Sequence, residues 1–314
     1  MAGRFAPSPT GDLHLGNLRT AAIAWLLARS TGREFLVRME DLDRVTSSTE
    51  HEARQLRDLA AIGVDHDGDV VRQSERFDLY EDAIDQLARR GLVFECFCTR
   101  KEIRAEIDAA PSAPHLPPGA YPGTCRELTE ADRRRHLDDG RRPALRLRSP
   151  DMSTDDPSST TVTVDDLVAG STTGGLDDVV LRRNDGVPAY NLAVVIDDAA
   201  QGVTQVVRGD DLLSSTPRQV HLQRLLGLPT PEYAHVPLAV GPDGERLAKR
   251  HGAISLRQLV DDGDRYVDDV VAAIVESLGD AVRPGPGVVR LVDLVHSFDL
   301  DGLARTPWVV ELEG

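Results

Sequence analysis

Near its N-terminus the chain combines a strand, a loop and a helix in an order that few folds accommodate. Residues 4–6 predict a short strand that leads into a loop rich in Pro, Ser and Gly. Across residues 18–30 apolar side chains recur at helical spacing, and Gly32 follows as a natural helix stop. Residues 34–39 are rich in strand-forming types. This β–loop–α–β unit predicts the opening of a Rossmann-like parallel sheet in an α/β fold.

The α/β pattern is interrupted in the middle of the chain and then returns. Residues 109–123 hold five prolines and two glycines, and residues 151–163 are rich in Ser, Thr and Asp. Both stretches are typical of irregular loops. We therefore predict four parts, which are the first half of the α/β domain (1–92), an inserted subdomain (93–180), the second half (181–240) and a helical C-terminal region (241–314).

The net charge of the chain limits how it can bind nucleic acid. A formal net charge of −16 argues against nucleic-acid binding over the whole surface, because phosphate backbones are drawn to basic surfaces. A local basic face is compatible with that charge, and a solvated helix face with counter-charges is an equal alternative. The densest arginine cluster consists of Arg133, Arg134, Arg135, Arg141, Arg142, Arg146 and Arg148.

The sequence favours neither a membrane protein nor a disulfide scaffold. No apolar run approaches the ~18 residues of a membrane span. The first residues lead into strand and loop without a basic-then-apolar leader. Three cysteines suit a reducing compartment. We therefore expect a cytoplasmic monomer that does not contact a membrane.

The loop before the first helix has the chemistry of an anion site. Unpaired N–H groups at a helix N-terminus attract anions. Gly16 lets a flat base approach the backbone, and His14 can donate to charge that develops on a phosphate. The chain contains neither a G-x-x-x-x-G-K-[ST] loop nor a G-x-G-x-x-G fingerprint. Taken alone, a single histidine before a helix is more often structural.

Several stretches, in matching order and spacing, resemble the glutamyl branch of the class I aminoacyl-tRNA synthetases. The resemblance covers residues 4–251, and the APSP sequence at residues 6–9 is of the glutamyl rather than the glutaminyl type. The stretches are RFAPSPTG and HLGN (4–17), RMEDLD (38–43), YNLAVVIDD (190–198), VRGDD (207–211) and LAKR (247–250). This resemblance implies a class I synthetase catalytic domain.

The resemblance also implies a binding site for L-glutamate. Two arginines and one carboxylate match a substrate with two negative charges and one positive charge. Arg4 is expected to pair with the side-chain carboxylate, Glu40 with the ammonium group, and Arg208 with the other carboxylate. Without the resemblance, the residue types favour Glu40 and Arg208 as surface ion-pair members and Tyr190 as a core residue. The implied glutamate residues are Arg4, Phe5, Ala6, Pro7, Ser8, Glu40, Tyr190 and Arg208.

A second ATP signature is implied at Lys249, the expected phosphate lysine. Together with His14 it forms the implied catalytic pair, and His14, Gly16, Asn17 and Lys249 form the implied ATP site, with Mg²⁺ accompanying the nucleotide. The segment departs from the family pattern, because Arg246 replaces a lysine, Ala248 a serine, and Arg250 ends the motif. The lost serine hydroxyl removes a hydrogen bond worth ~1 kcal/mol. We expect activity, and the departure leaves its rate an open question.

The cysteines form a second cluster. Cys96 and Cys98 lie two residues apart and can point to the same face of a strand. Cys125, arriving on a Pro/Gly loop, can complete a zinc site, although three free thiols in a small core are the alternative. The family resemblance implies one structural Zn²⁺ with Tyr121 as an unusual fourth ligand. His115 is the chemical competitor for that position.

The length after the second signature suggests an unusual acceptor. An ordinary member of the glutamyl branch continues into a large anticodon-binding region, and residues 251–314 are too few for one. The chain resembles the short members of the branch, which implies transfer of glutamate to queuosine in the anticodon loop of tRNA(Asp). Two alternatives are a glutamyl-adenylate-forming enzyme with another acceptor, and a non-catalytic paralogue that binds RNA or a protein.

Overall fold

The computed structural model describes residues 1–109, 120–150, 160–245, 247, 255–260, 266–285, 287 and 289–310. His115 and Lys249 lie outside these residues. The described strands are β1 (Ala2–Phe5), β2 (Glu34–Met39), β3 (Val71–Arg72), β4 (Val93–Cys96), β5 (Ala144–Leu147), β6 (Thr161–Asp166), β7 (Gly170–Gly175), β8 (Val180–Arg182), β9 (Val203–Gly209), β10 (Glu232–Val236), β11 (Ala239–Val240) and β12 (Trp308–Val309).

The described residues also form α-helices. The α-helices are α1 (Leu15–Ser30), α2 (Thr49–Ala61), α3 (Phe77–Arg89), α4 (Arg100–Ala109), α5 (Glu130–Asp138), α6 (Tyr190–Ala200), α7 (Thr216–Leu226), α8 (Leu256–Val260), α9 (Val267–Glu276) and α10 (Leu291–Leu294). Among these helices, none combines the length and the apolar character needed to cross a membrane.

The predicted β–loop–α–β opening is confirmed. β1 and β2 pair in parallel, and α1 connects them and packs on β1. The contact is close, since a Cβ added at Gly3 would lie 2.9 Å from Cβ of Ala28. α1 is apolar around most of its surface, which suits a helix covered by the sheet on one side and by α9 and α10 on the other. The strand ends are therefore fixed by the largest core cluster of the molecule.

The central sheet is parallel except at one edge. Within the described residues its strand order is β3-β2-β1-β9-β10-β6-β7, and β7 alone is antiparallel to its neighbour. β4, β5 and β8 form a separate antiparallel sheet. Sheet membership thus differs from the predicted boundary at residue 180: β6 and β7 extend the central sheet, whereas β8 belongs to the small one. The domain boundaries themselves stay a prediction.

Candidate active site

A cavity of about 420 Å³ opens where the parallel strands β1, β2 and β9 end. Carboxyl ends of parallel strands meet at one edge of a sheet, which is where ligands bind in α/β folds. The cavity collects every predicted glutamate-site and ATP-site residue that the structure describes. These are Arg4, Phe5, Ala6, Pro7, Ser8, His14, Gly16, Asn17, Glu40, Tyr190 and Arg208. Their individual roles stay a prediction.

Arg4 is held in place by two contacts within the protein. Its Nη1 donates to the carbonyl of Val207 on the neighbouring strand at 3.1 Å, and its Nε lies 3.4 Å from a carboxylate oxygen of Asp198. Arg38 donates to the same oxygen at 2.7 Å. Burial disfavours the charge of Asp198, but the charges of Arg38 and Arg4 outweigh burial and lower its pKa. One buried carboxylate therefore serves two buried guanidinium groups.

Glu40 follows β2 and faces the cavity from the other side. Its backbone N–H donates to the carbonyl of Pro7 at 2.9 Å, which ties the ends of the first two strands together. One carboxylate oxygen lies 3.4 Å from Nη2 of Arg38. Burial raises the pKa of Glu40, although the charges of Arg38 and Arg4 oppose that rise. A ligand cation would compensate this buried negative charge.

Arg208 enters the cavity from β9, beside Tyr190 at the start of α6. Its Nη1 lies 3.5 Å from the Tyr190 hydroxyl. Arg208 is almost fully buried, with 5% of its surface exposed, so its charge acts in a weakly screened environment. Arg4, Glu40 and Arg208 thus bring two positive charges and one negative charge to a single cavity.

His14 caps the helix that begins at the cavity. Its Nδ1 accepts from the backbone N–H of Asn17 at 3.2 Å, and the Asn17 side chain accepts from the backbone N–H of His14 at 3.3 Å. Because Nδ1 is an acceptor, the neutral ring carries its proton on Nε2 and can donate there. A Cβ added at Gly16 would lie 3.0 Å from Cβ of Ala239 and 3.1 Å from the His14 ring, so a side chain at residue 16 would crowd this wall.

Residues on both sides of Lys249 in the sequence contact this wall. Leu247 donates its backbone N–H to the carbonyl of Ala239 at 3.3 Å. Ser255 forms an isolated antiparallel bridge with His14. Leu247 and Ser255 therefore both contact residues that line the cavity.

Several residues of the site carried no role in the sequence analysis. Asp198 stands in the quoted YNLAVVIDD stretch, and Asp211 in the quoted VRGDD stretch, so the motifs contained a signal for both. His235 and Asp166 had none, because one lies in an unremarkable strand and the other in a segment assigned to the insertion. Further cavity-lining residues are Thr20, Val207, Gly209, Leu212, Leu238 and Ala239.

Nearly the whole chain matches one family model. The model describes tRNA synthetases class I (E and Q), catalytic domain, and it matches residues 1–313. The chain belongs to this family. The α/β fold with its parallel sheet and the family resemblance inferred from the sequence are thereby confirmed.

Individual relatives agree with the family model. A Nocardia farcinica protein named Glutamyl-Q tRNA(Asp) synthetase is 54% identical over 313 residues, which are 100% of this chain and 94% of that protein. A Cutibacterium acnes protein of the same name is 54% identical over 280 residues, covering 88% of this chain and 76% of that protein. The crystal structure of glutamate-tRNA synthetase from Elizabethkingia anophelis superposes with a TM-score of 0.81 at 27% identity, covering 99% of this chain and 68% of that chain.

The cysteines converge in the subdomain around β4. The sulfur atoms of Cys96, Cys98 and Cys125 all lie within 4.8 Å of one another. A tetrahedral zinc ion with ~2.3 Å bonds to sulfur separates its ligands by about 3.8 Å, so the spacing fits such an ion after small adjustments. Burial raises the pKa of the Cys98 thiol to about 12, so ionising this thiol needs a nearby cation. The donor set is therefore compatible with a metal ion.

Tyr121 lies beside the three sulfur atoms. Its hydroxyl lies 3.3 Å from the Cys96 sulfur and 3.7 Å from the Cys98 sulfur, and it accepts from the backbone N–H of Cys125 at 2.8 Å. The guanidinium of Arg146 stacks on the Tyr121 ring, 3.8 Å from its centroid. The role of Tyr121 as a fourth ligand stays a prediction.

The arginine cluster named above divides into different environments. Arg146 is buried against Tyr121, while Arg133, Arg141 and Arg148 pair with nearby glutamates. Arg134 and Arg135 lie on α5, where they pair with Glu130 and Asp132 and keep 73% and 70% of their side-chain surfaces exposed. Arg142 is exposed as well, so a polyanion could reach these three members of the cluster.

Proposed function

We propose that the protein activates L-glutamate with ATP and transfers it to queuosine in the anticodon loop of tRNA(Asp). The observation that carries this proposal is the full-length match to the Nocardia farcinica relative, whose name states that acceptor. The charge pattern of the cavity supports the amino-acid part of the proposal.

Glutamate fits three of the charged side chains that line the cavity. Arg4 pairs with the side-chain carboxylate and Arg208 with the α-carboxylate, while Glu40 receives the ammonium group. Both arginines are already oriented by protein contacts, so little side-chain entropy is lost when the substrate binds. Glutamine lacks the second negative charge, so it offers Arg4 a neutral acceptor in place of a charge-assisted pair and is disfavoured.

Activation joins the amino acid to the nucleotide. The α-carboxylate oxygen attacks the α-phosphorus of ATP, the bond to the β-phosphate breaks, and pyrophosphate leaves; Mg²⁺ accompanying the nucleotide would neutralise part of the phosphate charge. Such phosphoryl chemistry needs positioning and charge stabilisation rather than a strong protein base. His14 donates from Nε2 to the nucleotide phosphates beside the N-terminus of α1, and we assign Lys249 to the departing phosphates.

Transfer completes the reaction. A hydroxyl of the cyclopentene-diol ring of queuosine attacks the carbonyl carbon of glutamyl-adenylate and loses its proton. An ester forms and AMP leaves. An acidic chain that contacts a single stem-loop needs one local basic face, and the exposed arginines of α5 are the candidate.

We assign one structural Zn²⁺ to Cys96, Cys98, Tyr121 and Cys125. Four protein ligands leave no open position for substrate, so the ion would stabilise the small sheet rather than take part in the reaction. We also propose that the protein acts in the cytoplasm, where its three free thiols remain reduced, and that it is a monomer.

Two measurements test the proposed function. ATP–pyrophosphate exchange with glutamate, in the absence of tRNA, is expected for the wild-type protein. Labelled glutamate is then offered with tRNA that contains or lacks queuosine, and label is expected only on the former. Exchange together with labelling that does not depend on queuosine would exclude queuosine as the acceptor. Absence of exchange would exclude both enzymatic functions and leave a binding protein.

A further inference from the structure

We propose that Asp166, His235 and Thr216 form a positioning cradle that fixes the orientation of Arg208 and thereby the affinity for glutamate. The proposal rests on the glutamate-binding role proposed for Arg208. None of the three cradle residues lines the cavity itself. Two of them come from regions without a sequence motif, β10 and the end of β6.

The cradle holds two of the three nitrogens of the Arg208 guanidinium. Nε donates to Nε2 of His235 at 3.0 Å, and Nη2 donates to the Thr216 hydroxyl at 2.8 Å. The third nitrogen, Nη1, lies toward the Tyr190 hydroxyl in the cavity. The guanidinium is planar, so fixing Nε and Nη2 also fixes the direction in which Nη1 points.

The contact with Arg208 defines the protonation of His235. A guanidinium N–H can only donate, so Nε2 of His235 must accept and carries no proton. The remaining ring proton is on Nδ1, which lies 2.6 Å from a carboxylate oxygen of Asp166. Burial lowers the pKa of His235 although Asp166 opposes that change, which favours the neutral ring. The chain of donors therefore runs from Arg208 to His235 and from His235 to Asp166.

Asp166 is itself held firmly in its orientation. Its Oδ1 accepts from the backbone N–H groups of Val168 at 2.9 Å and Ala169 at 2.8 Å, in the turn that follows β6. The backbone N–H of His235 also donates to this oxygen, at 3.1 Å. Hydrogen bonds to the ionised carboxylate outweigh burial and lower the pKa of Asp166. Asp166 is therefore a fixed anion that selects the Nδ1–H tautomer of His235.

A hydrogen-bond network that served only folding would not affect the binding of one substrate selectively. The side chains of His235 and Asp166 are completely buried, so either could serve folding alone. The positioning role differs from that in one measurable respect, because it predicts a change in KM for glutamate with KM for ATP unchanged. Arg208 faces the amino-acid side of the cavity, whereas His14 and Gly16 form the nucleotide side.

A matched pair of substitutions at His235 separates the two hydrogen bonds of its ring. Glutamine places its carboxamide at the distance of Nε2, where the oxygen can accept from Arg208. Asparagine places its carboxamide at the distance of Nδ1, where it reaches Asp166 and leaves Arg208 unpaired. We expect His235→Gln to keep KM for glutamate within about threefold of wild type, and His235→Asn to raise it about tenfold or more.

A second pair tests the cradle with His235 in place. Thr216→Ser keeps the hydroxyl that accepts from Arg208, and Thr216→Val replaces it with a methyl group of similar shape. The valine variant is expected to raise KM for glutamate about fivefold relative to the serine variant. His221→Asn, at a half-buried histidine of α7 outside the cavity lining, is the control and should leave both KM values unchanged.

For each variant, ATP–pyrophosphate exchange kinetics and a thermal unfolding curve are measured. A selective rise of KM for glutamate in His235→Asn and Thr216→Val, with rescue by Gln and Ser, supports the cradle. Equal KM values within each pair, or a loss that follows thermal stability and affects ATP equally, would overturn it. Wild-type protein that shows no glutamate-dependent exchange would instead refute the proposed function, so the two failures are distinguishable.

Discussion

The cavity at the strand ends and the cysteine cluster are both built from buried ionisable groups, but they are stabilised in different ways. In the cavity, each guanidinium already has a protein partner: Arg4 and Arg38 share Asp198, and Arg208 donates to His235. In the cluster, Cys98 lies 3.4 Å from the Cys125 sulfur, and its neighbours are other acidic groups. The charges at the cavity are compensated by other side chains of the protein. Ionised thiols in the cluster need a cation to compensate their charge.

This difference predicts how the two regions depend on the rest of the molecule. The cavity should survive removal of a metal ion, because its charges are fixed by the central sheet and its core. The cluster should lose order when the metal ion is removed, because metal-binding free energy is folding free energy in small metal-binding regions. Each of the following experiments perturbs one region and measures the other.

The largest effect is expected for Arg4→Ala. This substitution removes the guanidinium assigned to the side-chain carboxylate of glutamate and should reduce glutamate-dependent exchange by roughly a hundredfold or more, equivalent to about 3 kcal/mol. Zinc content should remain at one ion per chain. Arg33→Ala, at a surface arginine paired with Glu232, is the control. Wild-type exchange in Arg4→Ala would refute the role assigned to this residue.

Asp198→Asn is expected to have a smaller effect on exchange and a measurable effect on stability. The neutral amide leaves Arg4 and Arg38 without their shared counter-charge, and breaking a buried ion pair costs about 3–5 kcal/mol. Urea unfolding should show this loss, and KM for glutamate should rise more than KM for ATP. Asp185→Asn, at an exposed aspartate beside Arg183, should change neither. Unaltered stability would contradict the balance of charges described for the cavity.

Cys125→Ser should separate the two regions. Loss of one thiolate should lower zinc content well below one ion per chain and increase amide hydrogen exchange in β4 and β5. Exchange of ATP with pyrophosphate should stay within about threefold of wild type, because the central sheet is held by its own core. Thr124→Ala, one residue away, controls for local disturbance. Wild-type protein that purifies without a metal ion would refute the zinc assignment.

The smallest effect is expected for substitutions of the exposed arginines Arg134 and Arg135 on α5. Replacing Arg134 and Arg135 by alanine removes two exposed charges, each of which contributes modestly to binding a polyanion. We expect KM for tRNA to rise about threefold at low salt, with exchange unchanged. Arg290→Ala, an exposed arginine in the C-terminal region, is the matched control. An equal effect of the control would show that only overall charge matters.

Local patterns predicted the first part of the fold well and the sheet edge poorly. β2 spans the predicted residues 34–39, and α2 begins after Ser48, whose side chain caps it. Residues 161–163, predicted as loop, instead begin β6. Polar Thr and Asp residues alternate there with the buried Val162 and Val164, and β6 pairs along its length with its neighbour β7, whereas only Asp166 is in register with the distant β10. The Ser, Thr and Asp composition of residues 151–163 favoured a loop, and the alternation that marks a strand begins only at the end of that stretch.

The residues of the site likewise divide into those that the sequence predicted and those that it did not. Motif residues such as Arg4 and Arg208 could be predicted, because family patterns mark the groups that touch ligands. The groups that orient them could not, since His235 and Asp166 are separated by 69 positions and meet only after β6 joins β10. The position of Lys249 remains a prediction.

The pairing of β12 restricts which residues can occupy positions 308 and 310, although both are distant in sequence from the residues of the cavity. Trp308 donates its backbone N–H to Leu238 at 2.9 Å, and Val310 donates to Val240 at 2.8 Å. These bonds hold the segment whose Ala239 abuts Gly16. Proline at residue 308 or 310 would remove a donor and loosen that wall. Natural selection on nucleotide binding should therefore exclude proline from both positions, even though neither side chain belongs to a catalytic motif.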